Sequence, residues 1–218
     1  MVERTRTRNS KDFENLYTVD VLCHGVPSPM VWKKYIDEQE SKFASSIRKV
    51  FFRSKNQGWK NYCVKIEFVD GKIYEKPYIE DEFMRLFLAD ICLRPSCYDC
   101  QFKKFPRVSD MTLGDCWGVE KHSPEMDDDQ GTSAVIVHTE KGKEVWKELK
   151  KTCTWKKSEL DVALPRTADS RKSVKEHFNR KKFFKILRKN GCNMNELIFM
   201  TKITLLDRIK RKIGYNSI

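Results

Sequence analysis

Three cysteines close together in the sequence constrain the fold of this chain more than any other feature. Cys92, Cys97 and Cys100 have the spacing C-x4-C-x2-C, and Pro95 lies between the first two. A short loop bent by a proline is too crowded for three unrelated core cysteines, and thiolates at this spacing are typical metal ligands. We therefore predict that residues 92–100, named the cysteine loop here, bind a metal.

The spacing also separates two kinds of metal site. C-x4-C-x2-C followed by a remote cysteine is the ligand pattern of plant-type ferredoxins, where thiolates hold an iron–sulfur cluster. Structural zinc would use the C-x2-C pair and require a second pair, either another C-x2-C or H-x3-5-H. The sequence contains no such second pair. The loop by itself therefore favours a two-iron cluster with one remote thiolate ligand.

Length and apolar content indicate a folded protein. A chain of 218 residues with 39% hydrophobic residues can bury a substantial core. Its longest apolar runs, such as residues 134–137, are far shorter than the roughly 18 residues that a membrane helix needs. No apolar stretch of a secretory signal follows the basic start. We expect a cytoplasmic protein whose eight cysteines are reduced thiols or metal ligands.

The positive charge is concentrated near one end of the chain. Of the formal net charge of +12, residues 166–218 carry 15 Lys and Arg against four Asp and Glu, so the preceding part is nearly neutral. A nucleic-acid-binding module would carry this charge on its folded face. We predict a helical, basic C-terminal extension. It could pack back on the body, contact a partner or an anionic membrane surface, or bind nucleic acid.

The pattern of the first half predicts strands and helices that lead to cysteines. A strand over residues 18–22 runs into Cys23, and Ser28-Pro29 begin a helix. Residues 62–68 alternate in polarity before a tight Asp70-Gly71 turn, which predicts a hairpin with Cys63 on its polar face, away from the site. A helix over residues 81–91 leads directly into the cysteine loop.

In the second half, residues 109–118 read as a strand that ends in a turn with glycines at both ends. Gly114 and Gly118 flank Cys116 and Trp117, and glycines would let backbone N–H groups approach a cofactor. An ordinary strand and bend is the alternative. An apolar strand over residues 132–138 and a helix follow. The predicted fold class is α/β, with a mixed β-sheet and flanking helices.

Five segments together resemble one known family, the C-terminal domain of the coenzyme F-420 hydrogenase/dehydrogenase beta subunits. They are Asp20–Pro29 (DVLCHGVPSP), Phe52–Lys55 with Gly58-Trp59, Leu93–Cys97 (LRPSC), Ser109–Gly118 (SDMTLGDCWG) and Gly131–Ser133. The resemblance runs from about Tyr17 to about Gly142. We accordingly divide the chain into a leader (1–16), a family domain (17–165) and the basic extension (166–218).

The resemblance implies an FAD-linked oxidoreductase that passes electrons to iron–sulfur partners through four-iron four-sulfur clusters. It implies Cys23, Cys92, Cys97 and Cys100 as cluster ligands. Cys116 is the candidate that would replace one of them. A flavin is expected against the turn formed by Gly114, Asp115, Trp117 and Gly118. The charges of Arg94, Lys103 and Lys104 would offset the negative cluster. The implied partners are a ferredoxin or a companion subunit. No catalytic residue is assigned, and none of the four histidines is given an acid–base role.

One departure from the family affects the expected activity. Family members are usually longer and carry a further segment before the Cys-His-Gly sequence, whereas Met1–Asp12 resembles nothing in it. We expect a truncated, split or frame-shifted product that acts as an oxidoreductase when the missing N-terminal part is supplied. Two alternatives remain open: a zinc-stabilised binding module with a basic arm, and a non-catalytic adaptor that keeps the fold.

Overall fold

The protein is described by a computed structural model that covers residues 13–103, 105, 107–164, 172–189 and 191–202. The chain forms two compact units, each assembled from two separate parts. The first unit contains the residues up to His24 together with Cys100–Ser173, and the second contains Gly25–Asp99 together with the residues from Val174. The domain limits predicted from the sequence remain a prediction.

The secondary structure begins with β1 (Val19–Val21), α1 (Pro29–Phe43), β2 (Ile47–Ser54), β3 (Cys63–Phe68), β4 (Ile73–Pro77), α2 (Glu82–Leu88) and α3 (Pro95–Tyr98). It continues with β5 (Met111–Asp115), α4 (Val119–His122), a 3-10 turn (Pro124–Met126), β6 (Ser133–Val137), α5 (Glu140–Leu149), α6 (Leu160–Ala163), α7 (Arg180–Leu187) and α8 (Met194–Phe199). None of the described helices is long and apolar enough to cross a membrane.

The first unit is built on a mixed sheet with the strand order β1-β5-β6. Strand β1 runs parallel to β5, and β6 runs antiparallel to it. The buried carboxylate of Asp110 connects this sheet to its surroundings: it accepts hydrogen bonds from the backbone N–H and hydroxyl of Thr18, both at 2.7 Å, and from the hydroxyl of Thr139 at 2.6 Å. Because Thr18 precedes β1 and Thr139 caps α5, one carboxylate sets the start of both elements.

The second unit packs helices against an antiparallel sheet with the order β2-β3-β4. Its core combines side chains from the sheet with side chains from α1, α2, α7 and α8. Fully buried members include Tyr35, Ile66, Leu86, Phe183 and Leu197. Part of the predicted basic extension therefore belongs to this core, which confirms the interpretation that it packs back on the body. The end of the predicted extension, residues 203–218, lies outside the described residues.

Asp81 is the central polar group of the second unit. It is completely buried and accepts hydrogen bonds from the hydroxyl groups of Tyr35 (2.6 Å) and Tyr74 (2.8 Å) and from the backbone N–H of Met84 (2.8 Å). Burial raises the pKa of Asp81, although its three donors oppose the rise. Burial, followed by the nearby Asp81 charge, raises the pKa of Tyr35 and of Tyr74, so both hydroxyl groups remain donors. The carboxyl group thus ties α1 and β4 to the first turn of α2.

The predicted α/β class and mixed sheet are confirmed, and two local predictions are corrected. The helix predicted over residues 81–91 ends at Leu88, and Asp90 then adopts a positive φ of 58° that a helix cannot continue through. The prediction that Cys63 lies on the polar face was wrong, because this residue is buried. Cys63 is the first residue of the central strand β3, where it pairs with Ser54 of β2 and Pro77 of β4. The alternation of polar and apolar residues along a strand does not show which side chains the rest of the fold covers.

Replacing Tyr35 by phenylalanine tests the role of Asp81. The Tyr35→Phe substitution keeps the ring in the core but removes one donor from a buried carboxyl group. We expect the free energy of unfolding in urea to fall by about 1–3 kcal/mol. The control is Tyr17→Phe, at an exposed tyrosine, which should change it by less than about 0.5 kcal/mol. Equal unfolding midpoints for the two variants would contradict this account.

Candidate metal centre

The cysteine loop lies beside residues 25–28, a segment distant from it in sequence. Pro27 and Leu93 form an antiparallel β-bridge. The backbone N–H of Ser28 donates to the carbonyl of Cys92 at 2.8 Å, and the N–H of Arg94 donates to the carbonyl of Val26 at 2.8 Å. The Cys-His-Gly segment and the LRPSC segment are therefore joined by backbone hydrogen bonds.

The sulfur of Cys97 contacts the backbone of Val26 in the segment of residues 25–28. Cys97 lies on α3, a single helical turn that begins after Arg94 with Pro95 at its first position. The Cys97 sulfur is half-buried and accepts the backbone N–H of Val26 at 3.2 Å. A backbone N–H directed at a cysteine sulfur stabilises negative charge on it, as hydrogen bonds to the sulfurs do at iron–sulfur sites.

Arg180 of α7 holds the cysteine loop from a remote part of the sequence. Its guanidinium donates to the carbonyl of Leu93 at 2.7 Å and to the hydroxyl of Tyr98 at 3.0 Å. It also lies over the Tyr98 ring, 5.1 Å from the centroid. Burial raises the pKa of Tyr98 to about 12, although Arg180 opposes the rise. Sequence reasoning missed Arg180 because it is one of many basic residues and no local pattern distinguishes it.

Cys92 differs from the other predicted ligands because it lies in the apolar core of the second unit. Its exposure is 0%, and burial raises its thiol pKa to about 12 despite the nearby charge of Arg180. Metal ligation requires the thiolate form. In the metal-free protein Cys92 is therefore a protonated thiol inside the core.

In the first unit, Cys23 and Cys100 are both accessible. Cys23 is exposed and follows β1 closely, at a strand end as predicted, and Cys100 is half-buried with its backbone N–H donating to the Ser173 hydroxyl at 2.7 Å. Nearby, the ammonium group of Lys103 donates to the carbonyl of His24 at 3.0 Å. This lysine is only 6% exposed. The predicted Lys104 lies outside the described residues.

The four predicted ligands are divided between the units: Cys23 and Cys100 belong to the first, and Cys92 and Cys97 to the second. Within the described part of the chain, no three His, Cys, Asp or Glu side chains are arranged to hold a metal ion. The donor set still fits an iron–sulfur cluster chemically, since three of the four thiols are accessible. The assignment of these residues as ligands remains a prediction.

The turn predicted to hold a flavin has structural reasons for both of its glycines. A Cβ atom on Gly114 would lie 2.5 Å from the Leu22 side chain, so the adjacent segment occupies that space. Gly118 has a φ of 85°, a conformation that favours glycine, and precedes α4. Trp117 is exposed, while burial and then Glu120 raise the pKa of the reserve ligand Cys116. Flavin contacts by Gly114, Asp115, Trp117 and Gly118 remain a prediction.

Comparison with protein families shows to which family the chain belongs. Residues 2–162 match the family described as the C terminus of the beta subunit of coenzyme F420 hydrogenase/dehydrogenase. The chain belongs to this family. The matched range is wider than the sequence motifs indicated and includes most of the leader. Membership relates the chain to the C-terminal part of these beta subunits.

No curated protein matches the chain. Among solved structures, it is similar to a chain in the structure titled "Xenon derivatization of the F420-reducing [NiFe] hydrogenase complex from Methanosarcina barkeri", with 13% sequence identity and a TM-score of 0.39. The similarity covers 100% of this chain and 60% of that chain, so this chain spans less than two thirds of its length.

Thiol alkylation of the metal-free protein tests the different environments of the cysteines. We expect Cys92 to react with iodoacetamide at least about tenfold more slowly than Cys23, because reaction in the core requires local unfolding. Mass spectrometry of quenched time points gives the rate at each cysteine. Exposed Cys153 is the control and should react like Cys23. Equal rates for Cys92 and Cys153 in the folded protein would show that Cys92 is not in the core.

Proposed function

We propose that this chain is the iron–sulfur-binding, electron-transfer part of a beta-subunit-like oxidoreductase. Cys23, Cys92, Cys97 and Cys100 would hold a four-iron four-sulfur cluster. The observation that carries the proposal is the pairing of residues 25–28 with the cysteine loop, in which a backbone N–H is directed at the Cys97 sulfur. This N–H group would stabilise negative charge on the sulfur of a bound thiolate.

Lys103 supports the proposal through its charge. A buried ammonium group is costly unless a negative charge compensates it. Within the described residues, the acceptor found for Lys103 is the neutral carbonyl of His24, one residue after Cys23 in the sequence. A cluster held by four thiolates is anionic and would supply the compensating charge.

When bound, the cluster would supply one-electron transfer. The residues of this chain would set its environment. Arg180 fixes the backbone on both sides of Cys97 through Leu93 and Tyr98, and the core around Cys92 excludes water. We propose a ferredoxin or a companion subunit as the electron-transfer partner, since the chain corresponds to the C-terminal part of the family's subunits.

The proposal includes FAD as a second cofactor only on the strength of the sequence resemblance. Leu22 occupies the space beside Gly114, so this glycine does not open a cradle for a flavin ring. Exposed Trp117 is the member of the predicted set that is best placed to stack on one.

Anaerobic reconstitution with iron and sulfide tests the cluster. We expect about four iron and four sulfide per chain, with broad absorbance in the visible. Cys97→Ser and Cys100→Ser should each lower the iron content by more than about half, because serine is a poor ligand for these clusters. Iron and sulfide assays on the purified full chain measure the result.

The matched control is Cys153→Ser, which removes an exposed thiol outside the family motifs and should leave the iron content unchanged. A colourless reconstituted protein without iron would overturn the proposal. A protein that binds one zinc ion instead would favour the zinc-stabilised module.

Lys103 gives a second prediction, on the electrostatics of the cluster. Replacing it by methionine removes a positive charge, which makes adding an electron less favourable. We expect Lys103→Met to make the reduction potential more negative by on the order of tens of millivolts, measured by an EPR-monitored redox titration. Lys147→Met, on the exposed surface of α5, should leave it unchanged. A potential that is equal in all three proteins would place Lys103 away from the cluster.

A further inference from the structure

The second unit contains a cationic cleft beside the cysteine loop, and Arg180 contacts both. The cleft lies between the start of α1, the cysteine loop and one face of α7, and its volume is about 550 Å³. This size is within the range of small-molecule sites. Four cationic side chains line it: Arg94, Arg180, Lys181 and Arg188.

The positive charge of the cleft is not neutralised by the part of the chain that the structure describes. No Asp or Glu lines it, and no described carboxylate forms an ion pair with Arg94, Lys181 or Arg188. Glu176, which is close enough to influence Tyr98, is not part of the lining. Four like charges in one concave site repel each other, and a bound anion would relieve that repulsion.

Arg180 is already oriented for binding. Its hydrogen bonds to Leu93 and Tyr98 use two of the five N–H donors of a guanidinium, and the Phe184 ring lies 4.5 Å from its central carbon. A guanidinium held in this way loses little conformational entropy when it binds a ligand. Its remaining donors have the planar geometry that matches phosphate oxygens.

The start of α1 adds a weaker contribution of the same sign. Ser28, Pro29 and Met30 line the cleft, and the Ser28 side chain does not cap the helix. The positive end of the helix dipole at this 15-residue helix therefore faces the same site without a side-chain acceptor. Both the helix start and the cationic side chains favour a negatively charged group.

The remaining lining is apolar. Met30, Leu93 and Phe184 contribute a thioether, an aliphatic side chain and an aromatic ring. A free inorganic ion would leave these surfaces in contact with water, whereas an organic group would cover them. We infer that the cleft binds a small phosphate ester with an apolar or aromatic organic part. The inference concerns this cleft and does not require a bound cluster.

The direct test is binding of phenyl phosphate and of inorganic phosphate to the full chain at low ionic strength, measured by isothermal titration calorimetry. We expect phenyl phosphate to bind more tightly than inorganic phosphate because of the apolar lining, and both to weaken as salt is added. No detectable binding of phenyl phosphate, or tighter binding of inorganic phosphate, would overturn the inference.

Charge reversal on α7 locates the site. Arg188→Glu and Lys181→Glu should each weaken phenyl phosphate binding by about tenfold or more, since each places a carboxylate next to the bound anion. Lys182→Glu is the matched control: it makes the same charge change on the same helix, but residue 182 does not line the cleft. Circular dichroism and thermal unfolding establish that each variant is folded.

Two further outcomes count against the inference. An equal loss of affinity in Lys182→Glu and Arg188→Glu would mean that only the overall charge of the helix matters. Binding of anionic vesicles or of DNA without binding of phenyl phosphate would assign the cleft to a macromolecular surface. None of these measurements requires iron, so all of them are made on the metal-free chain.

Discussion

The second unit depends on one buried carboxyl group. Asp81 joins Tyr35 of α1, Tyr74 of β4 and the first turn of α2. The segment of residues 25–28 leads into α1, and the cysteine loop follows α2 after a short turn. A contact that fixes these helices therefore also supports the backbone pairing between the two segments.

Positive charge has different uses in different parts of this chain. The surplus of Lys and Arg is concentrated after residue 165, but several of these residues serve the folded body. Arg180 holds the cysteine loop, and with its neighbours on α7 it lines the cationic cleft. Lys103 is buried beside the carbonyl of His24. An even spread of charge over a solvated arm would not account for these contacts.

Local patterns predicted the features that depend on neighbouring residues, and failed where distant contacts decide. The Pro29 start of α1 and the strand before Cys23 were predicted because proline position and β-branched residues act locally. Cys63 was predicted on the polar face, but it is buried, because the alternation of polar and apolar residues does not show what covers a strand. Arg180 could not be recognised, since its importance comes from contacts with residues that precede it by more than eighty positions.

The sequence by itself determined the family, the α/β class and the candidate thiols, because these follow from residue types at short, fixed spacings. The tertiary structure alone decided the environment of each thiol. Cys92 is inside an apolar core, and Cys97 receives an N–H from Val26, a residue that lies far away in the sequence. Burial and hydrogen-bond donors come from packing between distant segments, and no local pattern in the sequence contains that information.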